Sequence, residues 1–94
     1  MKMYGEEVFV VFEKYADNGR VAIRLVDEEG MPFCMATVNV PQVPLQEDEV
    51  IIKNYSENAG VLEILEQEGY IQDTGDVVYI GMAKGNLCKI LKSE

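Results

Sequence analysis

Residues Val50 to Gly69 read VIIKNYSENAGVLEILEQEG, and this stretch decides the fold. Val50, Ile51 and Ile52 are a β-branched run, which suits a pleated, at least half-buried strand. Asn54, Ser56 and Asn58 follow as three candidate N-caps, because their side chains accept hydrogen bonds from the free amides of a first helical turn. Glu57 sits where the positive end of a helix dipole favours its charge. Val61, Leu62, Ile64 and Leu65 then fall on one face at the helical period. Glu63, Glu66 and Gln67 fall opposite, and Glu68 lies beside the apolar face. The spacing predicts a helix over 58–68, with Gly60 tolerated in its first turn and Gly69 ending it in the left-handed conformation.

Before this stretch the chain reads as β-strand. Glu7 to Tyr15 carries apolar residues at both parities: Val8, Val10 and Phe12 against Phe9, Val11 and Tyr15. That pattern predicts a central strand or one in a closed barrel, not a solvated edge. Asn18-Gly19 is a hairpin signal. Arg20 to Asp27 alternates, with Val21, Ile23 and Leu25 inward and Arg24 outward. Asp27-Glu28-Glu29-Gly30 is a turn, and Pro32 keeps the start of the next strand, Phe33 to Val40, extended. Residues 7–40 therefore read as a three-stranded antiparallel meander.

Pro41 and Pro44 stiffen a connection, and Glu47 to Glu49 reads as its solvated close. Beyond the helix, Tyr70 to Gln72 and Val77 to Ile80 read as strands around a turn at Asp73-Thr74-Gly75-Asp76. Gly81 to Gly85 reads as a break, Leu87 to Leu91 as the last strand, and Lys92 to Glu94 as a frayed end. The expected architecture is a single α+β domain over 1–94. A bent antiparallel sheet, or a partly open barrel, of about six or seven strands packs on one helix.

The 94 residues include 17 acidic and 8 basic side chains, for a net charge of −9. Nucleic-acid binding draws on cationic surface to release counterions, so this balance argues against it. It argues equally against anionic membranes and favours basic partners or plain solubility. No apolar run approaches the length of a membrane span. The opening MKMYGEEVFV lacks the apolar core of a signal peptide, which predicts a cytoplasmic protein.

Catalytic motifs fail on inspection. The chain has no histidine, which removes Ser-His and Cys-His nucleophile pairs. With two cysteines and no histidine, no structural zinc site is expected, nor any other metal or cofactor. Cys34 and Cys88 read as buried thiols of a reducing compartment. Asp73-Thr74-Gly75 matches the tripeptide of retroviral-type aspartic proteases, but too little chain follows it to build that fold, so it reads as a turn. Gly75, Gly81 and Gly85 spell neither a phosphate loop nor a dinucleotide fingerprint. The expectation is a protein without enzymatic activity.

Thr37-Val38-Asn39-Val40-Pro41, Pro44-Leu45, Asp48-Glu49-Val50, Ile52-Lys53-Asn54-Tyr55-Ser56-Glu57-Asn58, Gly60-Val61-Leu62 and Gly69-Tyr70-Ile71 form a pattern. It resembles a family of small uncharacterised proteins of bacterial mobile elements, the conjugative transposons and phages of gut anaerobes. The Tyr-Ser-Glu-Asn segment is its most specific part. The resemblance implies a setting, an accessory protein of a mobile element in a bacterial cytoplasm, and no catalytic residues.

Together these readings predict a non-enzymatic acidic protein-binding accessory factor of unknown partner, in its sharper form a mobile-element factor acting on a basic site of a host protein. The candidate binding residues are Asn54, Tyr55, Ser56, Glu57, Asn58, Glu63 and Glu66. The alternatives are a small-ligand module lined by Tyr55, Tyr70 and Tyr79 between sheet and helix, or a self-associating structural protein.

Overall fold

A computed structural model describes residues 1–92, with Glu57 described by its backbone alone. Ser93 and Glu94, part of the expected frayed end, lie outside the described residues. Among the described residues, eight strands form three antiparallel sheets beside one short α-helix, so the α+β class stands with more strands than expected.

The chain opens with a hairpin that the sequence reading missed, β1 (Lys2–Met3) against β2 (Glu6–Glu7). Tyr4 and Gly5 take φ of 53° and 81° between them. Two left-handed residues in a two-residue loop match the right-handed twist of hairpin strands. Met3 drops into the core, where it is buried.

The expected meander follows as β3 (Phe9–Lys14), β4 (Val21–Val26) and β5 (Pro32–Met35), in spatial order β3-β4-β5. β4 is the central strand and is buried on both faces, since Ala22 and Val26 are covered as well as Ile23 and Leu25. β3 is an edge strand, contrary to its two-faced apolar pattern, and Phe9 is 48% exposed. Side chains cover it in place of a neighbouring strand. Val10 and Phe12 pack on the core, and the Phe12 ring meets Tyr70 with centroids 5.9 Å apart.

The third expected strand, 33–40, divides between two sheets. Pro32 to Met35 pairs with β4. The chain then crosses to β6 (Glu49–Ile52): Val38 N donates to Ile51 O at 3.0 Å, Lys53 N donates to Ala36 O at 2.7 Å, and Thr37 bridges Ile52. Ala36 N still donates to Ile23 O at 2.8 Å. One segment thus stitches both three-stranded sheets into a bent surface. β3 and β7 are the outer strands of that surface and form no ladder with each other.

β7 (Ile71–Ile80) and β8 (Ala83–Ile90) complete the second sheet, ordered β6-β8-β7. Asp73 to Asp76 is a bulge inside β7, not a turn between two strands. Its register jumps from Asp73–Cys88 to Val77–Asn86. Thr74 Oγ1 donates to Leu87 O at 2.8 Å and accepts from Asp76 N at 3.2 Å, which holds the extra residues against β8. The break expected over Gly81 to Gly85 narrows to a Gly81-Met82 turn, and Lys84 and Gly85 lie within β8. Gly85 is there for room: a Cβ on it would fall 2.5 Å from Ile51 Cγ2 and 3.3 Å from Ile52 O.

The helix α1 (Val61–Gln67) is shorter than the expected 58–68. Gly60 stands before it at φ 97°, a left-handed conformation that separates it from a turn of 3₁₀ helix over Ser56–Asn58. Val61, Leu62 and Leu65 are its buried face. Gly69 ends it as expected, at φ 81°. Gly69 N donates to Glu66 O and Tyr70 N to Leu65 O, both at 3.0 Å, the paired bonds of a Schellman motif. The helix packs on β7 and β1 rather than across the inner face of the whole sheet. The core beneath joins Ile23 and Leu25 to Val50, Ile52, Leu65 and Ile71.

Candidate functional site

The Asn54–Asn58 segment is built largely as scaffold. Asn54 Oδ1 accepts from Gly60 N at 3.0 Å and Leu62 N at 3.1 Å, so it satisfies two amides at the helix start. Asn58 is buried, and its Nδ2 donates to Met35 O at 2.6 Å, tying the 3₁₀ turn to β5. Tyr55 is half-buried, and Ser56 is exposed with φ 53°. The Glu57 side chain lies outside the described residues. Glu63 is exposed on the helix. Glu66 accepts from Asp73 N at 2.9 Å, so it caps the outer edge of β7 where the bulge begins. The candidates whose side chains are described therefore do not converge: Asn54 and Asn58 bond inward, and Glu63 and Glu66 stand exposed on the helix.

The three tyrosines do not share a pocket either. Tyr70 packs on Phe12 with Lys92 Nζ over its ring at 4.6 Å from the centroid. Tyr79 stands near the far end of β7 and is 74% exposed.

Carboxylates converge elsewhere. The N-terminal hairpin lies beside the turn that follows β4, and the two enclose a groove of about 370 Å³ lined by Lys2, Glu6, Glu7, Asp27, Glu28 and Glu29, with Gly5 at the hairpin loop. Asp27 Oδ1 builds the turn by accepting from Glu29 N and Met31 N, each at 2.9 Å. Gly30 closes it at φ 82°. Glu7 Oε2 accepts from the Met1 ammonium at 2.8 Å. That hydrogen bond holds the Glu7 carboxyl below its ordinary range, against a smaller opposing effect of burial. Glu6, Glu28 and Glu29 are exposed and enter no ion pair among the described residues.

Sequence reading treated Asp27 to Glu29 as a turn and did not see what lies opposite it. The signal was Lys2-Met3-Tyr4-Gly5-Glu6-Glu7, a hairpin too short to show alternation.

A larger cleft of about 550 Å³ runs between the β3–β4 turn and residues 45–49, lined by charges of both signs. Arg20 belongs to its framework: Nη1 donates to Val40 O at 2.9 Å and Nη2 to Val43 O at 2.6 Å, which fixes the proline-bracketed connection. Cys88 is buried on β8, and burial first, then the nearby Asp73 and Glu66 charges, push its thiol up to about 12. It is protonated at neutral pH and is a poor nucleophile. Among the described residues, no group of three acidic, cysteine or histidine side chains is placed to hold a metal ion. Nor is any helix among them long and apolar enough to cross a membrane.

No protein-family model matches the chain, and neither a curated protein nor a solved structure matches it.

Proposed function

We propose that this protein is a non-catalytic accessory factor that binds a basic protein through the groove between its N-terminal hairpin and the β4–β5 turn. The observation that carries the reading is the gathering of Glu6, Glu7, Asp27, Glu28 and Glu29 around one recess with Lys2 as its one cationic side chain. Carboxylates held on two rigid turns present a fixed field, and a basic partner is steered to such a field. Glu6, Glu28 and Glu29 are the members that bind, because Glu7 and Asp27 are occupied in holding the turns. The resemblance to mobile-element proteins supplies the setting of this proposal: a bacterial cytoplasm, with a host protein as partner. Neither nucleic acid nor membrane is a direct partner in it, since both carry the same sign of charge as the chain.

The test sets the groove against the helix. Tagged wild type, a Glu6→Lys, Glu28→Lys, Glu29→Lys variant and a Glu57→Lys, Glu63→Lys variant are each used to capture protein from bacterial lysate. Capture is repeated at ~1 M salt, where the screening length falls to about 3 Å. The expected result is one basic protein held at low salt by wild type and the helix variant, and released by high salt. The groove variant does not hold it. Capture by the groove variant, or its loss from the helix variant alone, overturns the assignment.

A further inference from the structure

The unpaired edge of β3 leaves a further recess, of different chemistry from the acidic groove. Along β3, Val10, Phe12 and Lys14 share the inward face, since successive side chains alternate. The ladder sets Phe12 against Ile23 and Lys14 against Val21. Phe12, Val21 and Ile90 are partly buried and pack against the core. With Glu13 and Lys14 they line a recess of about 310 Å³. Glu13 is already engaged by Arg24 Nη2 at 2.7 Å. Lys14 enters no ion pair among the described residues, and it and Glu13 are the two charged side chains that line a recess otherwise walled by Phe12, Val21 and Ile90.

We infer that this recess binds a small monocarboxylate with an apolar body. The apolar walls of Phe12, Val21 and Ile90 take the body, and Lys14 takes the carboxylate. A hydrated inorganic anion gains nothing from such walls, and a cation meets Lys14. The volume lies at the lower end of small-molecule sites, roughly 300 Å³, so the ligand is small. A lysine near the end of an edge strand also discourages strand-to-strand aggregation. That role predicts a change in self-association and no ligand preference. The inference does not rest on the basic-partner reading, since it uses other residues and the opposite charge preference.

The test is an amide NMR titration of the full chain with octanoate and, separately, with 1-octanol, which has the same chain and no charge. Saturable shifts are expected at Phe12, Lys14, Val21 and Ile90. Octanoate is expected to bind about three- to fivefold tighter than octanol, the range of a solvent-exposed ion pair. Lys14→Gln equalises the two ligands, and Lys84→Gln, on β8, leaves the preference intact. Absence of saturable shifts at those four residues overturns the inference, and so does an octanoate preference that survives in Lys14→Gln. A Lys14→Gln variant that changes only in self-association assigns the lysine to edge protection and overturns it too.

Discussion

Asn54 caps the helix from six residues upstream of Gly60, reaching over the 3₁₀ turn to the amides of Gly60 and Leu62. Removing it leaves both donors without their acceptor. Asn54→Ala is therefore expected to destabilise the fold by about 1–2 kcal/mol, read by urea denaturation, with Asn54→Asp retaining most of the stability. Gly85 marks a different kind of constraint, a place where two strands leave no space for a methyl group. Ile51 Cγ2 sits on a stiff β-branched side chain and cannot swing aside. Gly85→Ala is expected to cost about 1–3 kcal/mol by overpacking, measured in the same denaturation series. Glu7 contributes a pH dependence. Its folded pKa is depressed below 4.5, so its stabilising effect is present above that value and is lost as the pH falls through the folded pKa. Thermal melts from neutral to acid pH are expected to show wild type above Glu7→Gln near neutrality, with the gap closing in acid.

At the scale of elements, what was legible tracked what is local. The Asp27–Gly30 turn, the capping role of Asn54 and the Gly69 helix end each depend on one or two residues with specific donors or backbone freedom. The β7 bulge was misread because Asp73-Thr74-Gly75-Asp76 has the composition of a turn. Only its partners on β8 show that the strand continues through it. The β3 edge was misread because apolar residues on both faces say how much is covered, not whether strand or side chain covers it. The crossing at Ala36 to Val38 left no mark in residue type, since a strand that changes sheets needs no special side chain. The acidic groove was illegible for a related reason, since its two walls are twenty residues apart and meet only through the fold. The N-terminal hairpin gives the clearest element-scale prediction. Tyr4 Oη donates to Ala59 O at 2.7 Å and ties the hairpin loop to the residue before Gly60. Tyr4→Phe is expected to speed amide hydrogen exchange in β1 and β2 severalfold and leave β6 and β8 unchanged, as for a local opening.

At the scale of the molecule, the governing quantity is the charge of −9. Only three ion pairs are formed among the described residues: Met1 with Glu7, Arg24 with Glu13 and Lys89 with Asp48. Most carboxylates therefore repel across solvent, and such self-repulsion opposes the compact state. Adding sodium chloride from low ionic strength to about 0.15 M shortens the screening length to about 8 Å. The melting temperature is expected to rise by a few degrees over that range. Partner binding at the groove is expected to weaken over the same range, so stability and affinity move in opposite directions with salt.

The segment that belongs to two sheets also says how this chain comes apart and goes back together. Residues 36–38 are the outer edge of one half and the template for the other. Neither half presents a finished surface when the other is missing. A cut in the connection between Pro41 and Gln46 would separate β1–β5 from β6–β8 and the helix while breaking no ladder. The two fragments would then find each other by strand addition, since each holds the edge the other lacks. The protein is in that sense a natural split reporter, whose halves regain order only as a complementing pair.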